Sequence, residues 1–206
     1  MSTKLNKASV LTGILAVLSA AVPAWASINL EFRTTSPWVV GDTVEVGLYA
    51  VSDDDSYVQS FSAIRAVFSW DPTYLDLIGV DQTGAVDLLS SGFPADDAWG
   101  LNEVVPPQDG DGLYQGLAMF GQPVEATVAG VLVTTFQFEA LSPTPATPLD
   151  ILVEGGSPPI TTLITDGVVP GLDVTGALVG ASVTIVPEPA AMALLLGGVL
   201  VLLGRR

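Results

Sequence analysis

The sequence contains no histidine and no cysteine. Without imidazole there can be no Ser-His-Asp triad and no histidine metal ligand. Without thiols there can be no thiolate nucleophile, zinc–thiolate site or disulfide bond. Only six lysine and arginine residues accompany 22 acids, for a net charge of −16. This balance excludes nucleic-acid binding, because the phosphates would stay unneutralised.

Apolar residues, by contrast, make up 49% of the 206 residues, which is enough for the core of one domain of ordinary size. The few basic residues are unevenly placed. Lys4 and Lys7 lie at the start of the chain, Arg205 and Arg206 lie at its end, and only two arginines lie between them. The two ends therefore differ in character from the middle of the chain.

The first 26 residues have the pattern of a secretory signal peptide. Lys4 and Lys7 form the basic region, residues 8–22 form an apolar stretch, and Ala24 and Ala26 give the small-x-small pattern for cleavage after Ala26. An N-terminal membrane anchor is the alternative, but the stretch is short for a span. We therefore predict export through the inner membrane.

The last 20 residues form a second targeting segment. Pro187, Glu188 and Pro189 precede fourteen uncharged residues, 190–203, and two arginines end the chain. A helix of that length spans about 21 Å, which is less than the ~30 Å hydrocarbon core of a membrane. Such a segment favours recognition and removal over permanent anchorage, and a plain single-pass helix is the alternative.

The order Pro187-Glu188-Pro189, hydrophobic segment, Arg205-Arg206 resembles the PEP-CTERM sorting signal of Gram-negative exporters. The resemblance covers only these last residues and implies an exosortase-type membrane enzyme as processing partner. It also implies a link to exopolysaccharide and to the cell envelope, with transient membrane association through residues 190–203. The mature protein is then expected in the cell envelope, on the outer surface or secreted.

Residues 27–186 form the domain between the two targeting segments. They contain 21 of the 22 acids and only Arg33 and Arg65 as bases, for a net charge of −19. This range also lacks lysine, which excludes Schiff-base chemistry.

Hydrophobic alternation with a period of two predicts β-strands in this domain. In residues 62–70 it places Ile64, Ala66, Phe68 and Trp70 on one core-facing side. The pattern occurs in residues 29–33, 43–50, 62–70, 75–80, 113–120, 132–138, 149–153, 160–165 and 181–186. In the segment 132–138 it places Leu132, Thr134, Phe136 and Phe138 on one face.

No convincing helical stripe of twelve or more residues interrupts these strands. We therefore predict an all-β fold, a single antiparallel β-sandwich of jelly-roll type with about nine strands. An N-terminal signal helix and a short C-terminal hydrophobic helix are expected to flank it. Between two of the strands, Asp71-Pro72 predicts a turn, because proline fixes φ and Asp71 can accept hydrogen bonds from the turn's backbone amides.

Three segments of the domain resemble cohesin-like domains, a family related to carbohydrate-binding β-sandwich modules. They are Val40-Gly41-Asp42-Thr43-Val44-Glu45-Val46, then Trp70-Asp71-Pro72, where tryptophan replaces the usual tyrosine, and the segment from Ala129 to Phe138. The resemblance covers roughly residues 38–186 and implies a β-sandwich. Cohesins bind dockerin modules through one sheet face, so it also implies a protein partner.

Candidate ligand-binding residues lie near the predicted turns and loops. Trp99 and Trp38 are candidate sugar platforms, because aromatic faces stack on sugar rings, and Asp96 and Asp97 could bind hydroxyl groups beside Trp99. The alternative is that Trp99 packs its loop onto the sandwich.

Two acid clusters are candidates for calcium binding. Asp109 and Asp111 belong to an Asp-Gly-Asp-Gly segment like the opening of an EF-hand loop, but the bidentate glutamate at position 12 is missing. Asp53, Asp54 and Asp55 form the other cluster. Solvated turn residues are the alternative in both cases, so no metal is assigned.

From the sequence we predict a non-catalytic binding module without a cofactor, associated with the cell envelope or extracellular matrix. The expected ligand is carbohydrate, namely exopolysaccharide. The alternative is a cohesin-type protein–protein scaffold module that binds an envelope protein. A carboxylate-dependent glycosidase is a further alternative, although no pair among the 21 acids of the domain stands out.

Overall fold

The structure, a computed structural model, describes residues 27–94, 101, 110–169 and 171–189. It confirms the all-β prediction, because two β-sheets pack against each other as a sandwich in these residues. In the same residues no helix has the length and apolar character that a membrane crossing requires. The predicted signal helix and C-terminal hydrophobic helix lie outside this part of the chain.

Fifteen strands are present in the described residues, and nine of them have five or more residues, in line with the predicted number. They are β1 (Ile28–Thr34), β2 (Trp38–Val39), β3 (Thr43–Ser52), β4 (Gln59–Trp70), β5 (Leu75–Asp81), β6 (Ser90–Gly92), β7 (Asp111–Leu117), β8 (Val124–Ala126), β9 (Val131–Ala140), β10 (Thr144–Leu152), β11 (Glu154–Gly155), β12 (Ile160–Thr161), β13 (Leu163–Asp166), β14 (Thr175–Val179) and β15 (Ala181–Val186).

Five strands form one sheet, here called sheet A, in the order β14-β1-β3-β9-β5. The other, sheet B, has the order β2-β15-β10-β4-β7-β6. Its long strand β4 pairs with β10 and β13 on one side and with β7 and β8 on the other. The predicted antiparallel pairing holds except in two pairs at the sheet edges, β1 with β14 and β15 with β2, which are parallel.

The core lies between the sheets and is built from the predicted alternation. Ile64, Ala66, Phe68 and Trp70 of β4 all point into it, as predicted. Aromatic rings from both sheets meet at its centre, where the Phe68 ring centroid lies 4.6 Å from that of Phe136. Aromatic pairs at this spacing add attraction beyond the area that they bury.

The predicted face of the segment 132–138 is wrong at one position. Leu48 pairs with Thr134, but the next residue of β3, Tyr49, pairs with Leu132, so Val133 is an extra residue in a β-bulge. Val133 is buried in the core, whereas Leu132 lies on the outer face beside Tyr49, where a Cβ at Gly47 would contact both side chains. A bulge reverses the alternation of a strand locally, and this explains the error.

The Asp71-Pro72 turn has the predicted hydrogen bonds. The Asp71 carboxylate accepts a bond from the Thr73 amide at 2.9 Å, and its backbone oxygen accepts bonds from Tyr74 and Leu75. Gly110 lies against this turn with a φ of +88°, and a Cβ there would collide with the Trp70 carbonyl oxygen. Only glycine fits that position without displacing the turn.

The chain enters and leaves the sandwich at opposite ends. Ser52 at the end of β3 pairs with Ile28 at the start of β1, and the connections after β3, β7 and β13 lie at this same end, here called the loop end. Strand β15 runs parallel to β4 and finishes at the other end, here called the tail end. Only Pro187, Glu188 and Pro189 follow it among the described residues, and all three are exposed.

Candidate functional site

The outer face of sheet A is acidic. On sheet A the strands turn several carboxylates toward solvent, namely Glu31, Glu45, Asp76, Asp81 and Glu139. The one base on this face is Arg33, and it forms an ion pair with Glu31 at 2.7 Å. Its guanidinium carbon also lies 4.5 Å from the centre of the Tyr49 ring. Sheet A therefore presents an acidic surface on which the positive charge is already neutralised.

The outer face of sheet B is partly covered. Near the tail end, Val67 of β4 and Leu113 of β7 form a second apolar cluster with Leu101 and Ile160. Ile160 belongs to β12, which pairs with β11 to form a small ribbon in this region. Among the described residues, this cover leaves open the half of sheet B that is nearer the loop end.

That open half contains a depression of about 360 Å³, here called the Arg65 depression. Arg65 lies at its centre, because the register places Gln115 of β7 on one side and Leu163 of β13 on the other. None of the described residues that line it is acidic. The lining consists of Ala63, Ile64, Arg65, Ser90, Gln115, Gly116, Leu117, Leu163 and Thr165.

The guanidinium of Arg65 is held in place by β12. Nε donates a hydrogen bond to the Thr161 backbone oxygen at 2.7 Å, and Nη2 donates one to the Thr161 hydroxyl at 3.2 Å. In the described residues no carboxylate lies within ion-pair distance of Arg65, since the one ion pair there joins Arg33 to Glu31. Arg65 is thus the only base of the described residues without an acidic partner.

Exposed apolar side chains continue from the Arg65 depression to the loop end. Leu117 lies at the rim of the depression with 47% of its surface exposed. Leu89 precedes the lining residue Ser90, and Met119 and the fully exposed Phe120 follow Leu117 along the chain. Exposed apolar groups that cluster beside a cleft are typical of interaction surfaces.

A buried polar network supports the edge of the depression from inside the sandwich. The Tyr114 hydroxyl bonds to the Ser91 hydroxyl, and the Gln82 amide donates to Ser91 at 2.7 Å and to Thr134 at 2.8 Å. Burial raises the pKa of Tyr114, although its hydrogen bonds act in the opposite direction. A neutral phenol fixed in this way is a structural group that holds β6 beside β7.

Larger depressions exist elsewhere in the described residues, but they lack this arrangement. One of about 580 Å³ lies where β14 of sheet A passes β10 and β12, and it is lined by Asp173 together with apolar and hydroxyl side chains. It follows a seam between sheet edges, whereas the Arg65 depression crosses neighbouring strands of one sheet face.

The described acids do not form a metal centre. No group of three or more metal-ligating side chains occurs in the residues that the structure describes. In the triple-aspartate segment, Asp53 accepts hydrogen bonds from the Ser27 amide, the Ser27 hydroxyl and the Gln59 amide. Burial is the largest single influence and raises the pKa of Asp53, but the hydrogen bonds together outweigh it and leave the pKa below its usual value.

The structure places only part of the predicted site. Trp38 in β2 is half-buried beside the main core, and its Nε1 is buried without a hydrogen-bond partner in the described residues. Asp111 begins β7 opposite Ser69. The other predicted ligand-binding, calcium and processing residues, Trp99, Asp96, Asp97, Asp109, Ala24, Ala26, Arg205 and Arg206, lie outside the described residues.

The sequence interpretation did not identify the Arg65 depression. One signal was present, because Ile64 and Ala66 face the core, so the strand period points Arg65 outward. The depression itself depends on β13 and β7 lying on either side of β4, which local alternation does not encode.

No protein-family model matches the sequence, and neither does any curated protein. Solved structures of the same fold do match. A cohesin module from a Clostridium perfringens family 33 glycoside hydrolase is 14% identical, with a TM-score of 0.55 over 79% of this chain and 99% of the module. A type I cohesin from Clostridium thermocellum, solved in a cohesin–dockerin complex, is 16% identical, with a TM-score of 0.53 over 78% of this chain and 99% of that one.

The sixth cohesin of an Acetivibrio cellulolyticus scaffoldin, solved with a dockerin, gives similar values. It is 15% identical, with a TM-score of 0.52 over 78% of this chain and 99% of that chain. At these identities the likeness concerns the fold. The domain has a cohesin-like β-sandwich fold.

Proposed function

We propose that the domain is a non-catalytic protein-binding module whose partner binds the outer face of sheet B at the Arg65 depression. The observation that carries this proposal is the open depression itself, which crosses β13, β4, β7 and β6. The fold also supports the proposal, since two of the cohesins with this fold were solved with dockerin partners.

The chemistry of the two faces favours sheet B over sheet A. The centres of protein interfaces are depleted in acidic groups and enriched in arginine, methionine and aromatic side chains. Among the described residues no acid lines the Arg65 depression, and Met119 and Phe120 follow its rim residue Leu117 along the chain. The outer face of sheet A has several carboxylates, and a partner would have to desolvate them.

The described acids offer little support for a glycosidase. A general acid needs a raised pKa, which burial or a like charge supplies. Asp53 and Asp81 have pKa values that are shifted downward, which does not suit this role. For Asp81 the main cause is a hydrogen bond from the Thr83 amide.

Polysaccharide, the ligand predicted from the sequence, is the less favoured alternative to a protein partner. Its aromatic candidates are Trp99 and Trp38, and Trp38 packs against the core with part of its surface. Among the described residues no aromatic side chain lines the Arg65 depression, whereas sugar rings stack on such side chains. A protein surface suits this depression better.

The targeting segments complete the proposal. The signal peptide directs export, and the exosortase-type system recognises the segment that begins at Pro187. Because only residues 187–189 separate β15 from the apolar stretch 190–203, a membrane-held stretch would place the tail end against the membrane. The Arg65 depression would then lie on the half of the domain that faces away from it.

The test is site-specific photo-cross-linking of the full-length protein in the producing cells. A benzophenone amino acid replaces Gln115 in the depression or, as the matched control, Gln137 on the outer face of sheet A. We expect a protein adduct from position 115 and none from position 137. Equal labelling at both positions, or an adduct with polysaccharide at position 115, would contradict the proposal.

A further inference from the structure

The Arg65 depression contains an arginine whose charge the protein leaves available. Residues 27–186 hold 21 acids and two bases, yet no described acid pairs with Arg65. Arg33, the other base, is paired with Glu31 and donates to the Ala129 backbone oxygen. In so acidic a domain, a guanidinium without an acidic partner among the described residues can attract an anion at short range.

The hydrogen bonds to Thr161 also fix the guanidinium. They use Nε and one hydrogen of Nη2, and Nη1 has no acceptor in the described residues. A guanidinium already held in one orientation loses little entropy when it binds a ligand. Gln115 on the neighbouring strand and the hydroxyls of Ser90 and Thr165 add further donors to the same lining.

This set of groups selects one ligand chemistry. The free guanidinium edge binds a carboxylate through charge-assisted hydrogen bonds, which are stronger and more directional than neutral ones. Leu117 and Leu163 flank it and offer apolar contact to a neighbouring side chain. An amide or hydroxyl ligand would use the same donors without the charge.

The net charge of the domain limits where that carboxylate can come from. A charge of −19 over residues 27–186 repels an acidic partner at distances within the Debye length, ~8 Å at physiological salt. A single carboxylate within a neutral or basic protein surface avoids most of this repulsion. A polyuronate chain does not avoid it.

On the basis of the proposed function, we infer that the Arg65 depression binds one aspartate or glutamate side chain of the partner protein, next to an apolar side chain. Arg65 is then the group that determines specificity on this face. Leu117 and Leu163 contact the apolar neighbour.

The test is selection of a random twelve-residue peptide library against the full-length protein in detergent. We expect the selected peptides to carry an acid beside a leucine, isoleucine or valine. For a selected peptide, replacing the acid by its amide, or Arg65→Gln in the protein, should weaken binding at least tenfold. Arg33→Gln on sheet A is the matched control and should leave the affinity unchanged.

Arg65→Gln also removes bonds to Thr161, so a second variant separates binding from folding. Arg65→Glu should lose the acidic peptides and bind versions in which the acid is replaced by lysine, a recovery that a misfolded protein cannot show. The inference is overturned if acid and amide peptides bind within twofold of each other. It is equally overturned if no acid is enriched, or if oligogalacturonate binds through Arg65 more tightly than every peptide.

These outcomes are independent of the cross-linking result. If the peptides fail but position 115 forms a protein adduct, the proposed protein-binding face is kept. Only the inference that it binds a carboxylate is then refuted. Absence of that adduct would remove the proposed function itself.

Discussion

At the scale of single residues, Arg33 and Arg65 show how surroundings determine what a side chain can do. Arg33 donates to the Glu31 carboxylate through Nε at 3.1 Å and Nη2 at 2.7 Å, and Nη1 donates to Ala129. Among the described residues, Arg65 donates to Thr161 alone. The charge of the first guanidinium is balanced by a carboxylate of its own sheet. The second is oriented by neutral acceptors and has no balancing carboxylate among the described residues.

Asp53 provides a prediction at this scale. The Asp53 carboxylate accepts hydrogen bonds from the Ser27 amide and hydroxyl, and these bonds connect the start of β1 to the loop after β3. The replacement Asp53→Asn removes this charged acceptor. Because the site is exposed, we expect a loss of no more than ~1 kcal/mol in the free energy of unfolding at neutral pH. Chemical denaturation of the two proteins measures it.

The pH dependence of this loss follows from the lowered pKa of Asp53 in the folded protein. A depressed folded pKa contributes stability above the unfolded value, 3.8, and that contribution disappears as the pH falls through the folded pKa. The difference between wild type and Asp53→Asn should therefore shrink as the pH falls below 3.8. Asp55→Asn is the control, and an equal loss in both variants would refute this account.

At the scale of secondary-structure elements, alternation predicts a strand's faces wherever the strand is regular. In β4 the predicted core face of Ile64, Ala66, Phe68 and Trp70 is confirmed. In β9 the bulge at Val133 places Leu132 on the outside, and this bulge arises from pairing with β3, which is distant in sequence. Sequence alone predicts the local period and not the interruption.

Short strands were missed for a related reason. Strands β2, β6, β8 and β11 have two or three residues each, too few to show a period, and they exist because longer neighbours pair with them. The predicted strand 113–120 ends at Leu117, and Met119 accepts a turn hydrogen bond from Gln122. The candidate site depends on such pairings, so the sequence indicated the outward position of Arg65 without the depression around it.

At the scale of the whole molecule, the two ends of the sandwich have different roles in the proposed function. The tail end continues into the exposed Pro187-Glu188-Pro189, and the loop end carries exposed apolar side chains such as Phe120. Because the two ends differ in this way, a domain held at a membrane by its tail end would present sheet B to a partner.

The sorting proposal has a direct consequence for the mature chain. We expect mass spectrometry of the protein from the envelope fraction to show a polypeptide that begins at Ser27 and lacks residues 190–206, because both targeting segments are removed. Expression in cells without an exosortase-type enzyme should leave the C-terminal segment attached. An intact C-terminus in the surface fraction of the producing cells would contradict the sorting proposal.

The central claim is that a partner protein binds the outer face of sheet B. Its most direct measurement is the affinity of the partner cross-linked at position 115 for two variants with matched exposure. Leu117→Asp changes a rim residue of the Arg65 depression that is 47% exposed, and Val179→Asp changes a residue on sheet A that is 44% exposed. The account predicts that Leu117→Asp weakens binding at least tenfold, about 1.4 kcal/mol, while Val179→Asp leaves it unchanged. Equal affinities for both variants, with both proteins folded, would contradict it.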